Sequence, residues 1–430
     1  MFCVMARYSR GMAGLLDRGL LGRAREYLDF SPVLVVQGAR QTGKSTLAQM
    51  LAGDQARSLT LDDAGTADAA REDPRGFVEQ ADDGLLVIDE IQRLPELTLA
   101  VKAAVDRNRR PGRFILTGSS DVARIRGHKD SLAGRALSVR LHPLSQAELR
   151  GTLARGAFVD RLLGEGGDPA GLAVSAPLSR ADVVGMLLRG GYPSVREAPA
   201  RLRAAWLSDY VERLLGVDAR EGGGRLDPLR LTSVLRLIAA NQSGELVKAR
   251  IAREAALSAA SVTGYLDALD RLYLTEDLQP WTVNLTAREI GRRKVRVADC
   301  GLAAWLCGAS ADLLKDVVRG GRTLGAILEG FVVGELSSQA GWAETGYRLF
   351  HYRDRRGHEV DVIIELDDGR VIAVEVKSAV GLTGRHFAGL MDLRERLGER
   401  LVAGVVLAPV AEPMRYAEGL WGLPLSTLWE

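Results

Sequence analysis

At 430 residues the chain is too long for one compact domain and has room for about two to four, each with its own core. A composition of 47% hydrophobic and 26% charged residues excludes a disordered, collagenous or membrane-embedded class, and no apolar run approaches the ~20 residues of a membrane span. The formal charge of +2 leaves nucleic acid open as a partner, because such binding depends on local basic clusters that a whole-chain sum hides.

Arg7 and Arg10 stand where a secretory signal needs its apolar stretch, so the sequence reads as cytoplasmic. Cys3, Cys300 and Cys307 are too few and too badly spaced for a disulfide framework or a close zinc pair, and are expected to be reduced thiols. Arginine dominates the basic residues; lysine occurs only at Lys44, Lys102, Lys129, Lys248, Lys294, Lys315 and Lys377. A compact ammonium that a planar guanidinium cannot replace is one reason to keep a lysine, which draws attention to Lys44 and Lys377.

From Pro32 to Glu148 short apolar runs (VLVVQ, LLVIDE, RFILTGSS) alternate with amphipathic stretches (STLAQMLA, LTLAVKAAVD), which predicts a parallel sheet covered by helices on both faces. After Pro143 helical periods broken by loop chemistry predict a helical lid, and Ala219-Arg220-Glu221-Gly222-Gly223-Gly224 reads as a linker. From Asp227 to Leu285 three helical stretches end in YLTEDLQPW, with Val262, Tyr265, Leu266, Leu269 and Leu272 at helical spacing. They predict a winged helix-turn-helix, with a small helical packing domain as the alternative. From Gly325 a long helix (ILEGFVVGELSSQA), the strands LFHYRD, VDVIIEL and VIAVEVKS, a further helix and LVAGVVLAPV predict a separate α/β domain. The expected boundaries are 1–150, 151–225, 226–290 and 291–430.

Gly38-Ala39-Arg40-Gln41-Thr42-Gly43-Lys44-Ser45 matches GxxxxGK[ST] between the strand VLVVQ and the helix STLAQMLA, the context that such a phosphate-binding loop requires. Gly38 and Gly43 let the backbone amides of the loop turn toward phosphates, and the helix beginning near Lys44 points its positive end at them. Lys44 is expected to neutralise the β and γ oxygens and Ser45 to bind Mg²⁺, with Thr46 as a weaker candidate. LLVIDE ends a strand in two carboxylates, as in a Walker B element. Asp89 would hold the Mg²⁺ shell and Glu90 would polarise water, the alternative being a helix cap or solvated turn. RFILTGSS offers Thr117 or Ser119 to inspect the γ-phosphate. Arg135, in SLAGRALSVRL, would reach a transition-state phosphate in its own or a neighbouring subunit of a homo-oligomer; a surface ion pair accounts for it equally well.

These segments, with LAGR, GGYP, WLSDYVERLL, KVRVADCGLAAWLCG and EVDVIIE followed by AVEVKS, resemble AAA+ ATPases of the AAA_14 type that carry a C-terminal DUF4143 domain. The resemblance spans nearly the whole chain, its earlier motifs being more specific than its later ones. It implies an α/β fold with a P-loop NTPase sheet, ATP and Mg²⁺ as ligands, a helical lid, a winged-helix-like segment and a restriction-endonuclease-like C-terminal domain.

In VDVIIEL, strand alternation puts Asp361 and Ile363 opposite Val360, Val362 and Ile364; in VIAVEVKS, Glu375 and Lys377 share a face while Ile372, Val374 and Val376 take the other. Asp361, Glu375 and Lys377 have the spacing of a PD-(D/E)xK nuclease core, although Val360 replaces the leading proline, and Glu329 on the preceding helix is the usual additional acid. Two carboxylates would hold Mg²⁺ beside a scissile phosphate while the lysine positions water. The alternative is an inert fold whose acids pair with Lys377 and nearby arginines. His351 and His358 read as solvated loop histidines. The residues leave two functions open: a Mg²⁺-dependent ATPase that directs a nuclease to DNA, or an ATP-controlled switch whose C-terminal fold is non-catalytic. No membrane is expected as a partner.

Overall fold

The computed structural model describes residues 15–53, 56–81, 84–120, 132–164, 166, 169–172, 177–218, 226–282, 288, 291–354 and 356–430. Cys3, Arg7, Arg10 and the glycine-rich 219–224 lie outside the described residues.

The N-terminal sheet comprises β1 (Val33–Gln37), β2 (Arg57–Thr60), β3 (Leu86–Asp89), β4 (Phe114–Gly118) and β5 (Ala136–Arg140), in the order β2-β3-β4-β1-β5. Every pairing is parallel. The apolar character of VLVVQ reflects burial on both sides. Val33 and Val35 pack in one core with helix Leu97–Arg107, while Leu34 and Val36 pack in another with helices Leu20–Phe30 and Lys44–Ala52. Burying a side chain such as the fully enclosed Leu47 contributes about 2 kcal/mol. Because β4 stands between β1 and β3, its last residues lie between the loop after β1 and the acids after β3.

Among the described residues the second sheet has nine strands: β6 (Gly244–Glu245), β7 (Thr275–Pro280), β8 (Lys294–Val297), β9 (Tyr347–Arg353), β10 (Glu359–Leu366), β11 (Val371–Val376), β12 (Leu401–Ala408), β13 (Met414–Ala417) and β14 (Leu420–Pro424), in the order β13-β14-β12-β11-β10-β9-β7-β8-β6. Helices Pro228–Ala240, Lys248–Glu254 and Ala259–Arg271 precede the antiparallel β7–β8 pair, and β6 pairs with β8. β7 also pairs with β9, so hydrogen bonding continues across the boundary expected at 290. One face of the α/β part packs on helix Val317–Ala340 and the other on helix Ala388–Leu397.

The segment expected as a lid divides between two cores. Phe158, Val159, Leu162, Val183 and Leu187 join the core of the C-terminal sheet, whereas Tyr192, Leu207, Tyr210 and Val211 join that of the three helices before β7. No helix among the described residues is long and apolar enough to cross a membrane.

The expected alternation in β10 is corrected by a register shift between Val360 and Ile363. Val360 and Ile363 lie in one core while Val362 and Ile364 lie in the other, because the irregularity inserts an extra residue between Val360 and Ile363. In β11 the alternation holds: Ile372, Val374 and Val376 share one core. His351 is also corrected, being 2% exposed within β9, with burial pushing its imidazole down to about 4. Cys300 and Cys307 are free thiols.

Candidate functional site

The loop between β1 and helix Lys44–Ala52 turns through positive φ at Gly38 (151°), Gln41 (66°) and Gly43 (96°). Glycine at position 38 is required twice over, since a Cβ there would lie 2.3 Å from the Leu141 carbonyl oxygen. Ala39 and Thr42 are buried, and the Thr42 hydroxyl donates to the Ala39 carbonyl at 2.9 Å. Lys44 is 5% exposed with its Nζ 2.9 Å from the same carbonyl. Burial holds its ammonium below the ordinary lysine range, against the opposing pull of Glu90 and Asp89.

The residues after β3 and β4 meet this loop. The Ser45 hydroxyl lies 3.0 Å from both carboxylate oxygens of Asp89, and the Thr117 hydroxyl donates to Asp89 while accepting the Glu90 N–H at 3.2 Å. Glu90 adopts φ 59°, a left-handed conformation costing a non-glycine residue about 1 kcal/mol. Its carboxylate accepts from Gln92 and, at 3.1 Å, from the Ser119 hydroxyl. Thr117 therefore holds Asp89, and Ser119 with Gln92 holds Glu90. Gln92 carries no motif in the sequence. Thr46 is half-buried on the following helix. Arg135 lies apart, its guanidinium forming two hydrogen bonds to Asp106, at 2.6 and 3.1 Å.

Contacts from distant segments fix the loop from behind. Buried Arg18 donates to the carbonyls of Thr42 (2.7 Å) and His142 (2.8 Å) and to Glu148 Oε1 (2.8 Å). Ser194 donates to the Gln41 side chain at 2.9 Å, and the Tyr210 hydroxyl to the Arg40 carbonyl at 3.2 Å. On β5, Arg140 pairs with Glu276 of β7, which also binds Arg296 of β8. Burial would raise the Glu276 carboxyl, but Arg140 and Arg296 overcome it and hold it well below the usual range.

In the C-terminal domain Asp361 of β10 lies beside β11. Its Oδ2 accepts the Val376 N–H at 2.8 Å and lies 3.7 Å from Lys377 Nζ, which is itself 2.5 Å from Glu375. Lys294 of β8 joins from the other side, 2.8 Å from Glu329 and 2.8 Å from Glu359. Burial, reinforced by the negative charge of Asp361, pushes the Glu329 carboxyl up to about 8 and that of Glu375 up to about 9. Lys294 and Glu359 escape the motif reading. The scarcity of lysine is the one sequence signal that could have flagged Lys294.

Among the described residues, the trio of acids and histidines whose ligand atoms lie within 4.8 Å of one another is Asp354, His358 and Asp392. Arg396 pairs with both of its acids, at 2.5 and 2.9 Å. Burial would raise Asp354, yet hydrogen bonds from His358, Arg396 and Arg356 pull it down to about 2.

Three families match: an AAA domain over residues 30–150, a domain of unknown function (DUF8612) over 180–313 and a domain of unknown function (DUF4143) over 324–428. Uncharacterized proteins of Mycobacterium bovis and Mycobacterium tuberculosis are each 28% identical over 380 residues, 88% of this chain and 78% of theirs. Among solved structures, a RuvB of Thermotoga maritima aligns at 17% identity with a TM-score of 0.29, covering 60% of this chain and 86% of that one. NtrX of Brucella abortus aligns at 14% identity with a TM-score of 0.27, covering 62% and 71%.

Proposed function

From the premise of an AAA+ ATPase domain at the N-terminal end and a DUF4143 domain at the C-terminal end, we propose that this protein binds ATP with Mg²⁺ and hydrolyses it. The observation that carries the reading is the convergence of Lys44, Ser45, Asp89 and Glu90 at the ends of parallel strands separated by β4. The amides of Gly38–Ser45 wrap the phosphates and Lys44 neutralises their oxygens. Ser45 and Asp89 would hold Mg²⁺, which when bound would offset phosphate charge. Glu90 orients water and draws off its proton as the water attacks the γ-phosphorus, the bond to the bridging oxygen breaks, and ADP and phosphate leave.

Calorimetry of ATP with Mg²⁺ should give a binding heat that Lys44→Ala abolishes, while Glu90→Gln binds but releases no phosphate. Equal phosphate release from Glu90→Gln and wild type would overturn the role of Glu90.

For the remainder of the chain, the reading is a winged-helix-like segment that contacts DNA and a C-terminal domain of PD-(D/E)xK nuclease-like fold. Asp361, Glu375 and Lys377 support a cleaving version. The pairing of Lys294 with Glu329 and Glu359 favours the other, an ATP-controlled switch whose C-terminal domain is non-catalytic. DNA and RNA incubated with Mg²⁺ separate the two: cleavage lost in Asp361→Ala establishes the nuclease, and intact substrate with ATP-dependent DNA retention establishes the switch.

A further inference from the structure

Both oxygens of Asp361 face an ammonium. Lys377 Nζ lies 3.7 Å from Oδ2, and Lys294 Nζ lies 3.9 Å from Oδ1. Lys294 is the more enclosed of the two, with a side chain 5% exposed against 32%. It comes from β8, outside the strands that supply Asp361 and Glu375, and its two short contacts, at 2.8 Å each, are to Glu329 and Glu359.

A divalent ion of this chemistry sits about 2.0 to 2.6 Å from its carboxylate oxygens, which brings those oxygens within about 5 Å of each other. Glu329, Asp361 and Glu375 are not among the trios whose ligand atoms meet within 4.8 Å; only Asp354, His358 and Asp392 do so among the described residues. The acids are instead spread around two ammonium groups, so no three of them converge on one ion in this arrangement.

We infer that Lys294 is the built-in cation of this cluster, its ammonium seated among Glu329, Glu359 and Asp361 so that the cluster takes up no divalent metal while Lys294 is there. The strand that carries it is anchored to hold it there. Arg296, two residues along β8 and on the same face, is buried against Glu276, which pairs with Arg140 of the ATPase sheet. Seating therefore draws on contacts from both domains. Removal of Lys294 leaves Glu329 and Glu359 without their ammonium and cuts the cations beside Asp361 from two to one, Lys377, so the repulsion that opposes an added ion falls.

The inference deepens the non-catalytic reading of the C-terminal domain and is independent of the ATPase reading. The test is a Mn²⁺ titration of the full chain without nucleotide, with free Mn²⁺ followed by electron paramagnetic resonance. Wild type should show no uptake that depends on Asp361. Lys294→Gln should gain a site on the order of 100-fold tighter than any in wild type, lost again when Asp361→Asn is added, while Lys294→Arg stays like wild type. A folded Lys294→Gln that gains no site overturns the inference. Should that variant fail to fold, wild type against Asp361→Asn decides alone: Asp361-dependent Mn²⁺ uptake by wild type overturns the inference, and its absence supports it. ATP calorimetry on the same preparations reports the ATPase reading separately.

Discussion

Replacing Arg18 with alanine removes three hydrogen bonds at once from the underside of the glycine loop: those to Thr42, His142 and Glu148, at 2.7 to 2.8 Å. Each is charge-assisted, and such bonds contribute about 1.5 to 3 kcal/mol apiece when buried. The full sum is not lost, because Glu148 keeps the Gly19 N–H at 3.0 Å, the Ser145 N–H at 2.8 Å and the Ser145 hydroxyl at 3.1 Å. Its carboxylate is thus not orphaned, which places the loss near about 3 kcal/mol, at the lower edge of the range for breaking a buried ion pair. Thr42 precedes Gly43 and Lys44, so a loosened Thr42 carbonyl should also weaken ATP binding, by roughly tenfold or about 1.4 kcal/mol. Arg18→Lys can restore one of the three bonds and should fall between. Urea unfolding followed by circular dichroism measures the first quantity and ATP calorimetry the second. An Arg18→Ala protein within about 0.5 kcal/mol of wild type, the range of neutral surface changes, and with unchanged ATP affinity would refute the reasoning.

Gly38→Ala places its Cβ 2.3 Å from the Leu141 carbonyl at φ 151°, so ATP binding should be lost with about 2 kcal/mol or more of stability; unaltered calorimetry speaks against the tight approach. Arg135→Ala should leave phosphate release of the isolated chain intact, since Asp106 holds that guanidinium; a drop that appears only on oligomerisation would place Arg135 on a neighbour's phosphate instead. Burial pushes the Glu335 carboxyl from 4.5 up to about 8, although the Gln146 N–H opposes this. Between those values the folded state keeps a proton that the unfolded state has released, so stability falls as pH rises through the window and levels off above it. Glu335→Gln should remove that decline, making the variant more stable than wild type at pH 8 and nearly equal at pH 4.5; parallel curves of thermal midpoint against pH would exclude the effect.

Much of the N-terminal site is legible because its residues are contiguous. GARQTGKST and LLVIDE name the loop and the acids, as each sits within a few residues of an apolar strand end, where backbone geometry is local. Which acid each of Thr117 and Ser119 touches required the strand order, since the insertion of β4 between β1 and β3 puts Thr117 on Asp89 and Ser119 on Glu90. In the C-terminal domain Glu375 and Lys377, two residues apart on one strand face, lie 2.5 Å from each other. Strict alternation misplaced Val360, because an extra residue in a strand leaves no mark in an apolar run.

By itself the amino-acid order determined which strands are buried, where the glycine loop turns and which carboxylates end β3, all consequences of neighbours along the chain. Tertiary structure alone decided that Arg18 would brace Thr42 and Glu148 and that Lys294 would lie among Glu329, Glu359 and Asp361. The reason is that a buried charge finds its partner by packing. The partner of Arg18 is 130 residues away, and no periodicity or spacing records a pairing over that distance.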